Sequence, residues 1–324
     1  LVVRNGTGFD GRNTVLSASF SSARVAAADA ASGQHYPQSA LYVVATPIGN
    51  LADITLRALH VLSLADTIAC EDTRHTQQML RAFGIDKSGG QLLAVHQHNE
   101  TEAAQTVIHR LREGQRVAYV SDAGTPGISD PGAKLAASVA AAGLRAIPLP
   151  GASSVTTLLS VAGLAGEASA ATGFVFHGFL PSKAQERAHA VDLLATEARA
   201  VVLLEAPHRI EALAGVLAIL GSRSITVGRE LTKQFEEIAT LLASDMSTWL
   251  AADANRLRGE FVLVLHPVPE QPQNGEDLRV LSLLLTELPL KSAVKLAAEI
   301  TGQPRNALYE RALDLKKNNP GDAP

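Results

Sequence analysis

Ser121-Asp122-Ala123-Gly124-Thr125-Pro126-Gly127-Ile128-Ser129-Asp130-Pro131-Gly132 is the stretch around which the chain is organised. The apolar run before it, Val117–Val120, reads as a buried strand. The alanine-rich run after it, Ala133–Ala142, reads as a helix stopped by Gly143. The stretch is thus a strand-to-helix crossover, about twice the usual length of such loops. Open α/β sheets hold their ligands just beyond the carboxyl ends of strands, where this loop falls. Its glycines let a ligand approach the backbone, its prolines stiffen the turn, and Asp122 and Asp130 offer carboxylates to amines or hydroxyls. A long turn with no ligand is the plain alternative, but loops of this length inside compact domains usually have a function.

Working outward, the same unit repeats. Leu41–Ala45 reads as a first buried strand, followed by Thr46-Pro47-Ile48-Gly49-Asn50 and a helix from Ile54 to Leu64 that Asp53 could cap. This turn lacks GxGxxG, which argues against a dinucleotide site. Asp66–Cys70 is a second strand, ending in Glu71-Asp72-Thr73-Arg74-His75. There a helix over Thr76–Phe83 opens, with Asp72 or Thr73 as cap and Asp72 and Arg74 facing the cleft. Leu92–Val95 is a third strand, and Asn99 with Glu102 has capping-box spacing. After the focal loop a fifth strand, Leu144–Leu149, ends in Pro150-Gly151-Ala152-Ser153-Ser154. That helix N-terminus supplies backbone N–H groups and two hydroxyls to a carboxylate or ribose. Five such units predict a parallel five-stranded sheet flanked by helices over 40–165.

Beyond Gly163 the pattern changes. Strands are expected at 173–179, 200–204, 224–227 and 259–265, with a charged helix from Leu180-Pro181-Ser182-Lys183 to Thr196, giving a mixed α+β domain over 166–267. Residues 268–277 read as a Pro/Gln/Glu linker. Residues 278–318 read as a basic helical tail carrying Lys291, Lys295 and Arg305. Residues 1–39, rich in Ala, Ser and Gly, read as a flexible extension whose removal should leave the melting temperature nearly unchanged.

The totals narrow the function. A net charge of −4 and 4% aromatic residues do not describe a general nucleic-acid binder, although a local basic face is compatible with both. No apolar run approaches the roughly 18 residues of a membrane span, so no membrane partner is expected. One cysteine, Cys70, rules out an internal disulfide framework and fits a reducing cytoplasm. The histidines show no HExxH pattern, so no metal site is expected.

Nine stretches in order resemble the ribosomal RNA small-subunit methyltransferase I family, within the tetrapyrrole-methylase-like class. They are Leu41–Asp53, Cys70–Thr76, His98–Glu100, Ser121–Gly132, Pro148–Ser154, Gly178–Lys183, Gly228–Lys233, Gly259–Glu260 and Asn306–Tyr309. The focal loop departs slightly, reading Pro-Gly-Ile-Ser where a bulkier apolar residue is usual, and Glu205-Ala206-Pro207 is a variant. The resemblance implies a two-domain tetrapyrrole-methylase-like fold and 2′-O-methylation of a cytidine ribose in the decoding region of 16S rRNA. It also implies a homodimer acting on the small ribosomal subunit, with S-adenosylmethionine as methyl donor. Donor contacts are then expected from Pro47, Gly49, Ser121, Asp122, Ala123, Gly124, Thr125, Gly151, Ser153, Ser154 and Glu205. RNA contacts are expected from Arg74, Arg229, Lys291, Lys295 and Arg305. Lys233 is expected to stabilise charge, with Asp72 or Glu230 orienting the substrate. These three, with no obligatory base among them, are the candidate proton acceptors, and Arg74 completes the catalytic set. A tetrapyrrole methylase would share the donor site without using a basic tail, and a diphthamide-type methylase would share the fold; a non-catalytic RNA-binding protein would keep the tail without needing the Asp122 and Ser153 loops.

Overall fold

The computed structural model describes residues 16–96, 99–164, 173–268 and 274–318. They divide into two compact units, one running up to residue 166 and continuing over Gly173–Pro267, the other beginning at Val268.

The first unit contains two sheets. Strands β1 (Ala40–Val44), β2 (Thr67–Cys70), β3 (Leu92–Ala94), β4 (Arg116–Val120) and β5 (Arg145–Leu149) form an all-parallel sheet in the order β3-β2-β4-β1-β5. β2 and most of β1 and β4 are buried on both faces, as their unbroken apolar runs require. From β1 the chain travels out to β3 and returns through β4 to β5. The strand order therefore reverses beside β1, and the loops after β1, β4 and β5 open at one place.

Helices α1 (Leu16–Ala31), α2 (Leu56–Leu64) and α3 (Thr73–Ala82) cover one face, and α4 (Glu100–Arg112) and α5 (Gly132–Ala141) the other. Two caps differ from expectation. Thr55, not Asp53, caps α2 by accepting the Ala58 N–H at 3.1 Å, while Asp53 belongs to a 3-10 turn that Asn50 caps. Asn99 closes no capping box; its side chain turns back to accept the His96 N–H at 2.8 Å and to donate to the Ala94 carbonyl. His98 lies outside the described residues.

The expectation of a flexible extension is corrected over 16–39. Ala27 and Ala31 of α1 are buried in the core, Phe20 meets Phe83 edge to face at 5.0 Å between ring centroids, and Arg24 donates to the Gly84 carbonyl. Small side chains gave this helix little apolar contrast in sequence, yet they allow its close approach to α2. Residues 1–15 lie outside the described residues. Deleting residues 1–31 is therefore expected to lower the melting temperature by about 5–10 °C, from a loss on the order of 2–3 kcal/mol of apolar burial. Differential scanning calorimetry of the truncated protein checks this; an unchanged melting temperature would show that α1 contributes nothing.

The second sheet, β6 (Phe174–Phe179), β7 (Ala200–Glu205), β8 (Ser224–Arg229), β9 (Glu237–Leu242) and β10 (Phe261–Leu265), runs β6-β7-β10-β8-β9 and is mixed. Only β6 and β7 are parallel. β9 lies at an edge and was not anticipated, because its Ile238, Thr240 and Leu242 are exposed and its inner side, Ala239 and Leu241, is only half-buried. Helices α7 (Ala184–Ala195), α8 (Ile210–Leu217) and α9 (Met246–Ala251) cover one face. Helix α6 (Ser154–Val161) of the first half packs Val155 and Leu158 onto Ala200, Val202, Val262 and Val264 of the other. That contact sets the two sheets against each other. In β6 the pairing register shifts by one between Phe176 and Gly178, so Phe174, Phe176 and Phe179 pair with Ala200, Val202 and Leu204 and share one face.

In the second unit, α10 (Asn274–Glu287), α11 (Leu290–Thr301) and α12 (Arg305–Asn318) close on Leu281, Val294, Ala297, Leu308 and Ala312. The expected linker is shorter than 268–277, since α10 begins at Asn274 and Asp277 is buried within it. No helix among the described residues is long and apolar enough to cross a membrane.

Candidate active site

The loops after β1 and β4 are hydrogen-bonded to each other: Thr46 N donates to the Gly124 carbonyl at 2.9 Å and Gly124 N to the Thr46 carbonyl at 3.0 Å. Thr125 Oγ1 donates to the Ala152 carbonyl at 3.0 Å, which joins the loop after β5. Asp130 holds the far end of the focal loop, accepting the Gly127 and Gly132 N–H groups at 2.7 Å each. The loop is therefore fixed before any ligand arrives.

A cavity of about 370 Å³ opens between this locked edge and the second sheet. That volume lies in the range of small-molecule sites. From the first half it is lined by Ser121, Asp122, Ala123, Gly124 and Thr125, by Ser153 and Ser154, and by Glu71, which sequence reasoning had left out of the site. From the second half come Phe179, Leu204, Glu205, Leu231 and Glu260. Three expected donor contacts stay outside the lining and shape it instead. Pro47 is buried beneath the loop. Gly151 lies so close to Ala45 that a Cβ would meet its Cβ at 2.8 Å, and one on Gly49 would lie 2.3 Å from Lys233 Cγ.

Glu205 is the most informative of these residues. Its side chain has no solvent exposure and sits 3.0 Å from Arg209 Nε, a charge contact without hydrogen-bond alignment. Oε1 accepts the Ala206 N–H at 2.9 Å, while Oε2 is buried with no partner. Burial pushes the Glu205 carboxyl up, against the opposing pull of that N–H and of Arg209 and Arg187. An orphaned buried acceptor in a cavity wall implies a donor supplied from outside the protein.

At the rim, Lys233 Nζ lies 2.8 Å from Glu230 Oε1 and 3.1 Å from Glu260 Oε2. Burial opposes its charge, but the two carboxylates outweigh burial and hold the ammonium above the ordinary lysine range. Burial alone would raise Glu230, yet hydrogen bonds from Lys233 and the Glu260 N–H hold it below its ordinary value. Asp72 caps α3 through the Arg74 and His75 N–H groups and pairs with the Arg74 guanidinium at 3.2 Å; the Arg74 side-chain bond leads the causes that lower it. None of these three groups is poised to take up a proton near neutrality. Arg74 itself is 87% exposed.

Arg229 departs from its expected RNA role. It is buried, with Nε on Glu237 at 3.4 Å and its two terminal nitrogens donating to the Arg258 and Phe235 carbonyls. All of its nitrogens are used within the fold, so it braces the β8–β9 connection. Lys291, Lys295 and Arg305 are exposed on the second unit.

Residues 40–246 match the Tetrapyrrole (Corrin/Porphyrin) Methylases family, and residues 271–316 match the RsmI C-terminal HTH domain. The chain is 46% identical over 281 residues to "Ribosomal RNA small subunit methyltransferase I" of Escherichia coli O157:H7, covering 86% of this chain and 96% of that protein. The chain belongs to the ribosomal RNA small subunit methyltransferase I family. The family member of Neisseria meningitidis serogroup A is 47% identical over 280 residues, covering 85% of this chain and 94% of that protein. Among solved structures, the uroporphyrin-III-C-methyltransferase of Thermus thermophilus superposes with a TM-score of 0.51 at 21% identity, over 71% of this chain and 94% of that one. A diphthine synthase gives 0.53 at 15% identity, over 70% and 90%. These two likenesses concern the fold alone, and the fold they share with this family member is the one its sequence implied.

Tested against the cavity, S-adenosylmethionine fits. The molecule joins a flat base, a ribose and a zwitterionic tail. The walls offer apolar Ile48, Leu231 and Val262, the hydroxyls of Ser121, Ser153 and Ser154, and the carboxylates of Asp122 and Glu205. Besides Glu71, sequence reasoning missed Glu260, although both stand in quoted motifs. Four ionisable residues crowded at the end of β2 were the available signal for Glu71.

Proposed function

We propose that this chain transfers a methyl group from S-adenosylmethionine to the 2′-hydroxyl of a cytidine ribose in the 16S rRNA of the small ribosomal subunit, in the cytoplasm and as a homodimer. The observation that carries the reading is the cavity at the reversal point of the first sheet, with Glu205 Oε2 orphaned in its wall. Family membership supports the RNA substrate. The outward apolar residues Ile238 and Leu242 on edge strand β9 supply a surface of the kind that homodimers cover.

When bound, the donor supplies an electrophilic methyl on a sulfonium. The protein's share is then alignment and charge. Ser121, Asp122, Ser153 and Glu205 hold the donor's polar groups, and the interlocked loops fix the direction of attack. Lys233, kept protonated at the rim, meets the phosphate or the developing charge of the entering ribose, and Arg74 offers a second exposed cation. Only RNA carries the 2′-hydroxyl, which gives preference over DNA.

The test is a methylation assay on small subunits lacking the modification, with the product nucleotide mapped by mass spectrometry. Methyl groups found on a base, or no transfer to RNA by folded protein, would overturn the reading. Sedimentation of the purified protein at several concentrations tests the dimer.

The second unit is assigned to phosphate contact through Lys291, Lys295 and Arg305. Replacing all three by alanine is expected to leave donor affinity unchanged and to flatten the dependence of log K for RNA on log salt by about 2–3 units of slope. An unaltered slope would show that this face does not meet the RNA.

A further inference from the structure

The proposed transfer converts a ribose hydroxyl into an ether, so a proton must leave. The three residues first considered as its acceptor are all held by partners. Asp72 is consumed by the α3 cap and Arg74, Glu230 by Lys233 and the Glu260 N–H, and Lys233 is itself a stabilised cation. The other carboxylates in the cavity wall are engaged too. Asp130 holds two loop N–H groups and Glu260 faces Lys233, while Asp122 and Glu205, the latter beside Arg209, are taken up by the donor's polar groups in the function proposed above.

Glu71 is different. It stands at the end of β2, half-buried in the cavity wall beside Asp122, and its Oε1 accepts the Asp122 N–H at 3.3 Å. That bond and the reciprocal one from Asp72 N to Asp122 Oδ1 clip the β2 and β4 loops together and fix the carboxyl in place. No cation pairs with it among the described residues. We infer that Glu71 is the proton acceptor of this methyl transfer, an assignment that rests on the function proposed above. In the step, a bond forms between ribose O2′ and the methyl carbon while the S–CH₃ bond breaks. Its electron pair stays on sulfur as a neutral thioether. The proton of O2′ passes to the Glu71 carboxylate and then to solvent between turnovers.

The surroundings tune the group for this work. Burial first, and then the neighbouring charge of Asp122, with a smaller push from Asp130, raise Glu71 to about 7, against the lowering effect of the Asp122 N–H. Tyr119 from β4 and Cys70 and Asp72 from its own segment also face this cluster; burial raises Tyr119 beyond the titrating range and Cys70 to about 11, so neither competes for the proton near neutrality. An acceptor is most effective when its pKa lies near the working pH.

The experiment compares single-turnover methyl transfer by wild type and Glu71→Gln on small subunits between pH 5.5 and 8.5, with donor affinity measured by calorimetry on both. Glutamine keeps the acceptor for the Asp122 N–H. The expected result is donor affinity within a few-fold, transfer reduced about 100-fold, and loss of the acid limb along which the wild-type rate falls tenfold per pH unit. Glu71→Asp should recover part of the rate and keep a limb. A Glu71→Gln enzyme that retains the acid limb, or that loses donor binding in parallel with transfer, overturns the assignment. Failure of the wild type to methylate RNA at any pH would overturn the function proposed above instead, so the two failures are distinguishable.

Discussion

Lys233→Ala is expected to lower methyl transfer to the small subunit about 100-fold while leaving donor affinity within a few-fold. The reason lies in where the ammonium stands. It is at the rim rather than in the wall, fastened by Glu230 at 2.8 Å and Glu260 at 3.1 Å and packed against Gly49. Its charge faces whatever enters, not what is already seated. Alanine leaves two carboxylates at the mouth with no counter-charge, which repel an RNA phosphate instead of attracting it. Asp122→Ala should divide the effects the other way, weakening donor binding about 10–100-fold through the loss of a charged hydrogen-bonding group. Calorimetry with the donor product, set beside single-turnover transfer, separates the two. Equal loss of donor binding in both variants would mean that rim and wall do not have separate roles.

Gly259→Ala is expected to cost about 2–4 kcal/mol, a sum of left-handed backbone strain and overpacking, and to lower the melting temperature by about 6–12 °C. Gly259 has φ of +89°, and a Cβ there would lie 2.4 Å from Glu230 Cγ and 2.5 Å from its Cδ. The Glu230 side chain cannot swing aside at small cost, because Oε1 accepts both Lys233 Nζ and the Glu260 N–H. Its backbone is constrained as well, with φ of 51° at a non-glycine position and an N–H donated to the Glu260 carbonyl at 3.0 Å. Transfer should fall with stability, since Lys233 loses its seat. Thermal melts of Gly259→Ala, Glu230→Ala and the double variant form a cycle that isolates the clash. Additive losses would place the cost in backbone conformation alone.

The first sheet and its loops were legible because each βα unit announces itself locally: an apolar run, a Gly/Pro turn, then a helical pattern. Asp122 and Ser153 could be singled out for the same reason, each standing at a strand end, whereas Lys233 was marked by the resemblance of Gly228–Lys233 to a family motif. What escaped depended on contacts far along the chain. Arg229 looked like a free cation until the Arg258 and Phe235 carbonyls and Glu237 filled its nitrogens. Helix α1 hid because alanine packs closely without producing apolar contrast. Strand β9 hid because, at an edge, it buries its inner side only in part. Glu71 was overlooked beside Asp72, and only the position of the β4 loop shows which of the two carboxylates lines the cavity.

The register shift in β6 bears on how this gene can drift. Strand side chains alternate, so Phe174 and Phe176 would by simple counting leave Phe179 on the opposite side of the sheet. The additional residue at His177 reverses that parity, and Phe179 reaches the cavity wall alongside Leu204. Codon changes at His177 itself touch only an exposed position. An in-frame loss of that codon would remove the bulge yet leave Phe179 two residues after Phe176, on the same face and still opposite Leu204, so this wall of the site tolerates either change.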